Sequence, residues 1–69
     1  MEKIQLLDVV VLLSDIAEEK LKKGQVGTVV ELLDENHFEV EFADRNGQSI
    51  AILALSADEL LKLIHEPAY

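Results

Sequence analysis

His37, Glu39 and Glu41 alternate in a His-x-Glu-x-Glu segment, and on a β-strand that spacing turns all three side chains to one side. Imidazole and carboxylate are metal-ligating groups, yet a metal site closes on three or four ligands converging in space. The other histidine, His65, lies in a separate segment. The alternation therefore reads as the solvent face of a half-buried strand, with no metal expected. Asp44-x-Asn46-Gly47 opens like a calcium loop but lacks the later ligands and the bidentate glutamate, and a hairpin turn accounts for every residue in it. Ser14, Ser49 and Ser56 have no histidine beside them in sequence and no glycine-rich elbow around them, so none is set up as a nucleophile. On an exposed strand Glu39 and Glu41 lack the environment that drives two carboxylates apart into acid and base roles. Cysteine is absent, which removes disulfides, thiolate metal sites and sulfur redox chemistry. No catalytic residue, cofactor or metal ligand is expected, and the chain reads as a protein that is not an enzyme.

Charge narrows the partners. Fourteen acidic and 6 basic residues give a formal net charge of −8, and Arg45 is the only arginine. A phosphate-binding surface gathers Lys and Arg, whereas Lys20, Lys22 and Lys23 sit beside Glu18 and Glu19, so nucleic acid is not the expected partner. A basic protein approached by electrostatic steering fits better. Met1-Glu2-Lys3 leads into an apolar run that starts near Leu6, is broken by Asp8 and ends at Ser14-Asp15, so neither a secretory leader nor a membrane span of about 20 apolar residues is expected. The expectation is a soluble, cytoplasmic protein.

The elements that must position these residues are short strands. Sixty-nine residues predict one domain over 1–69, near the lower limit for folding without a staple. Leu6 to Leu13, rich in valine and apolar on both faces, predicts a first strand. Ser14 to Gly24 has acids early, bases late and a glycine stop, which predicts a helical turn or two anchored by Ile16 and Leu21. Gln25 to Leu33 predicts the second strand, and His37 to Ala43 the third, with Phe38, Val40 and Phe42 on its core side. Asn46-Gly47 suggests a two-residue hairpin turn into a fourth strand from Gln48 to Leu55, and Gly24, Gly27 and Gly47 are read as turn glycines. Ser56 and Glu59 have capping-box spacing, and Leu60 to Ile64 is open between helix and strand, with Pro67 ending it. The sum is a mainly β fold: a small five-stranded SH3-like barrel with a short helical turn in the first connection and another before the last strand.

At these residues the chain resembles a known family. Leu7-Asp8-Val9-Val10-Val11-Leu12, Asp15-Ile16, Gly24-x-x-Gly27-Thr28-Val29-Val30-Glu31 and Phe38-x-Val40-Glu41-Phe42 are similar to domain-of-unknown-function family 4926. Ala17 departs from the proline more usual there. The resemblance implies small bacterial, often cyanobacterial, SH3-like proteins without established catalytic residues, some encoded beside a second small protein in the manner of toxin and antitoxin pairs. The Gly-x-x-Gly-Thr-Val motif is also similar to the turn of ribosomal and transcription-factor barrels of the Kyrpides-Ouzounis-Woese type, and to the barrel domain of nitrile hydratase beta subunits.

Apolar residues make up 49% of the chain while aromatic residues are only 4%, so two strands carry more apolar surface than one core face can absorb. The surplus predicts either cover by residues 60–64 or an interface, with a second copy or with another protein. The leading expectation is an acidic protein-binding module, the antitoxin-like half of a two-gene pair. Its expected partner-binding residues are Glu31, His37, Phe38, Glu39, Glu41 and Tyr69. A nucleic-acid or ribosome-associated barrel, and an accessory subunit of an enzyme, are the alternatives.

Overall fold

The computed structural model describes residues 3–64. Five strands follow in order: β1 (Val9–Leu12), β2 (Val26–Leu32), β3 (His37–Ala43), β4 (Ser49–Ser56) and β5 (Leu60–Lys62). Single 3₁₀ turns at Ala17–Glu19 and Ala57–Glu59 occupy the first and last connections. All pairings are antiparallel, in one sheet of order β4-β3-β2-β1-β5. No ladder joins β4 to β5 among the described residues, so the sheet is open.

That sheet cannot be flat. Val9, Thr28, Glu41 and Ile52 lie in one row across four strands. Leu60 pairs with Leu12, beyond one side of the row, and Ser56 with His37, beyond the other. Flat geometry would hold Ser56 and Leu60 about 30 Å apart, from about 4.8 Å per strand and about 3.3 Å per residue. The chain between them is only Ala57–Glu59. Fully extended, that link reaches at most about 14 Å. The sheet must twist and curl until its two edges approach. Two interruptions of register supply the bend: Val30 is an extra residue in β2, and Ile50 in β4. The link is pinned on both flanks, by Leu13 N–H on the Glu59 carbonyl at 2.9 Å and Ala57 N–H on the Asn36 carbonyl at 2.7 Å. The expected capping box is present, with Ser56 N–H donating to Glu59 Oε1 at 2.8 Å.

Curling leaves a concave face that fills with apolar side chains. Val10 and Leu12 of β1, Val29 of β2, Phe38, Val40 and Phe42 of β3, Leu55 of β4 and Leu60 of β5 form the core with Ile4 and Leu21. Strand β3 has the bounds its alternation predicts. Residues 60–64 resolve as the closing strand over Leu60–Lys62, whereas Pro67 and His65 lie outside the described residues.

Several expectations need correction. The first strand is shorter than its apolar run, because Gln5 to Asp8 forms a turn in which Asp8 N–H bonds the Gln5 carbonyl at 3.1 Å. Leu7 sits in that turn at φ 69°, where glycine would be at ease. The helical segment from Ser14 to Gly24 shrinks to one 3₁₀ turn, because Lys20 turns left-handed (φ 57°) and Leu21 returns to exchange both backbone hydrogen bonds with Ile16. That return buries Leu21, and burial of a large apolar side chain outweighs helix propensity. The Asp15 carboxylate accepts from Lys23 N–H at 2.8 Å. Asn46-Gly47 does not make a two-residue turn: Asp44 N–H bonds the Gln48 carbonyl at 2.9 Å across a three-residue loop, and only Gly47 is left-handed. Gly27 is no turn residue either. It lies within β2, paired with Val10 and Phe42, and its role is close approach. Strand β5 extends the edge of β1 and does not cover the outer face of the sheet, so Leu61 and Ile64 remain exposed.

Two outcomes follow from this packing. In Gly27→Ala the new Cβ would stand 2.7 Å from Val40 Cγ1, 2.9 Å from Phe42 Cε1 and 3.0 Å from the Glu41 carbonyl oxygen. Val40 and Phe42 are fully buried and have nowhere to move. The variant should lose about 1–3 kcal/mol, read as a lower urea midpoint at unchanged slope. The second concerns Asp8, whose carboxylate accepts from Gln5 N–H at 2.7 Å and from Lys62 Nζ at 3.1 Å. Burial pushes its pKa up, but the Gln5 N–H and the Lys62 ammonium together outweigh that and hold it below the ordinary aspartate value. A carboxyl depressed in the fold stabilises fully above its unfolded value of about 3.9, and the contribution is lost as pH falls through the folded value. Denaturant titrations between about pH 5 and about pH 2 should show a shallower acid loss in Asp8→Asn than in the unsubstituted protein.

Candidate partner-binding surface

Strands β2 and β3 meet at the connection Leu33 to Asn36. His37 carbonyl accepts from Leu33 N–H at 3.0 Å and Asp34 N–H at 3.3 Å. Asp34 folds back on its own turn, its Oδ1 accepting from Asn36 N–H at 2.8 Å and lying 2.9 Å from His37 Nδ1. The Asn36 N–H, then the His37 ring, hold the Asp34 carboxyl below the usual aspartate value, which keeps it ionised. Beside this turn Lys3 and Ile4 come near the end of the β2–β3 pair. Ile4, Leu32, Leu33 and Phe38 line a depression of about 250 Å³ together with three charged residues, Lys3, Asp34 and Glu35. Leu32 and Leu33 are 50% and 44% exposed, a contiguous apolar opening next to fixed negative charge. A wider hollow of about 420 Å³ at Asn36, Ser56, Ala57 and Asp58 has Ala57 as its one apolar lining residue and suits no apolar anchor.

Glu39 and Glu41 lie on the outer face, as the alternation of β3 predicts, and Glu31 joins them there. Glu31 stands directly opposite Glu39, and Glu41 follows on the same face of β3, opposite Thr28 and Ile52. Glu31 reaches that face only because Val30 is the extra residue of the β2 bulge; plain alternation from buried Val29 would have turned it inward. His37 is placed at the strand end and engages Asp34, not the two glutamates. Phe38 faces the core at 4% exposure and forms a wall of the depression instead of a free anchor. Tyr69 lies outside the described residues. Ile4, Leu32 and Leu33 are additions that sequence reading missed; the signal was two adjacent leucines ahead of Asp34-Glu35, where a strand should already have turned polar.

Among the described residues no three His, Asp or Glu side chains are grouped so that they could hold a metal ion. None of the described helices is long and apolar enough to cross a membrane. The surface thus holds an apolar recess lined also by Lys3, Asp34 and Glu35, and three glutamates, Glu31, Glu39 and Glu41, on the outer face of the sheet.

The sequence profile described as "Domain of unknown function (DUF4926)" matches residues 6–62. No match was found among curated proteins, and none among solved structures.

Like charges directly opposed across two strands are destabilising. Glu31→Lys converts the Glu31–Glu39 pair to an attractive one and should raise stability by up to about 1 kcal/mol. Thermal melts at low salt should show the gain, and it should shrink in about 1 M salt, where screening acts within about 3 Å.

Proposed function

The chain belongs to the family described as a domain of unknown function, DUF4926, whose description names no activity, and from that premise we propose that it is a non-catalytic protein-binding module that masks a basic partner. In the form implied by the family resemblance, it is the neutralising, antitoxin-like half of a two-gene pair acting in the cytoplasm. The curl forced by the Ala57–Glu59 link supports taking the open sheet as a small SH3-like barrel.

One observation carries the binding reading: the apolar recess at Ile4, Leu32 and Leu33 opens beside Asp34 and Glu35, which line it. Glu31, Glu39 and Glu41, with Asp34 and Glu35, attract a basic segment over several ångströms and orient it. An apolar side chain of that segment enters the recess and supplies the buried contact, since charge at a wet rim adds mainly speed and selectivity. The mutual repulsion of Glu31 and Glu39 costs the free protein stability and is relieved when a cation sits between them.

Co-expression with the product of the adjacent gene, followed by affinity capture, tests the proposal. The two proteins should co-purify, growth inhibition by the partner should be relieved, and capture should weaken as salt rises. Leu33→Asp and Glu31→Lys should each weaken capture at least tenfold, the second despite a more stable fold. Unrelieved toxicity together with no co-purification by the unsubstituted protein would end the antitoxin form, and salt-independent capture would end the electrostatic mechanism.

A further inference from the structure

The two edges of the sheet are protected very differently. Strand β5 is three residues long and ends in Lys62, both common defences against unwanted pairing. Strand β4 runs for eight residues, Ser-Ile-Ala-Ile-Leu-Ala-Leu-Ser, with no charge, proline or glycine. It pairs only with β3, and among the described residues no other backbone group bonds to its far side. Every second residue of an antiparallel edge strand directs its N–H and C=O outward, so β4 offers a row of unused donors and acceptors. The bulge at Ile50 guards one end and leaves Ala51 to Ser56 regular. Ile52, at 56% exposure, stands on the outer face of that run.

We infer that β4 pairs antiparallel with β4 of a second copy of this chain, about a two-fold axis through Leu53, joining two sheets into one. A two-fold axis perpendicular to a sheet pairs residues of the same parity, because directly opposed side chains share a face. Centred on Leu53, the register sets Ile52 against Ala54 and Ala51 against Leu55, each twice, with Leu53 meeting its own copy. Away from the central Leu53–Leu53 contact large side chains face small ones, which is the self-complementarity an isologous interface requires. Charge singles out the same place. Each copy carries −8, so two copies repel wherever acids face each other. β4 is the long uncharged strand, and the nearest glutamates, on β3, are kept three strand spacings from their counterparts, about 14 Å. Physiological salt screens charge beyond about 8 Å. A single strand pair is small beside a standard interface of about 1,600 Å², so the dimer dissociates on dilution.

Sedimentation velocity from about 5 to about 500 µM reads this directly, a span that brackets micromolar dimers. The mass should rise toward twice the 7.7 kDa of one chain, and the rise should strengthen with added salt, opposite to capture of a basic partner. Hydrogen exchange should show protection that grows with concentration on β4 alone. Ile52→Lys should weaken association at least tenfold with its melting curve preserved, while Leu61→Lys, on the β5 edge, leaves the dimer intact. A monomer at every concentration overturns the inference, as does a dimer lost in Leu61→Lys and kept in Ile52→Lys.

Discussion

Three residues, Ala57–Glu59, join the opposite edges of a five-stranded sheet, and the rest of the molecule is arranged to permit that join. A short link cannot stretch, so the sheet bends. Bulges at Val30 and Ile50 concentrate the bend, and the capping box of Ser56 and Glu59 shapes the link itself. The Glu59 and Asn36 carbonyls then fasten it to the end of β1 and to the β2–β3 connection. Gly27 belongs to the same requirement. With Val40 and Phe42 drawn over β2 by the curvature, there is no space for a side chain at that position.

Curvature also sorts the apolar residues. A concave face this small buries one side of each strand, and the convex side keeps whatever else the chain carries. Leu6, Leu7, Leu32, Leu33, Ile50, Ile52 and Leu61 are left in contact with water. They are not spread evenly. Leu32 and Leu33 open beside Lys3, Asp34 and Glu35, whereas Ile52 sits on a strand without any charge. Leu7 adds a local cost, since a left-handed non-glycine residue is strained by about 1–2 kcal/mol. Its N–H bond to the Val29 carbonyl at 2.8 Å keeps the turn beside the Val30 bulge.

Strand β3 was legible because Phe38, Val40 and Phe42 alternate without interruption, and the capping box because Ser56 and Glu59 satisfy each other locally. Features decided by distant contacts were not. Glu18 and Lys22 have helical spacing, yet Leu21 gains more by returning to Ile16 and the core than a further helical turn would provide. The face reached by Glu31 depends on an extra residue in β2 that no alternation pattern displays. The recess was missed for a similar reason. Ile4 lies far from Leu32 and Leu33 in sequence, and only the curled sheet brings them together.

The place of β1 bears on how the molecule is made. It lies between β2 and β5, and β5 is separated from it by nearly the whole described chain. During synthesis β2, β3 and β4 can pair in turn as they emerge, while the outer edge of Val9–Leu12 stays open until Lys62 has been added. Pairings this distant in sequence place a small β-protein among the slower two-state folders, in milliseconds to seconds. Until β5 docks, the chain presents a second unguarded apolar edge beside that of β4.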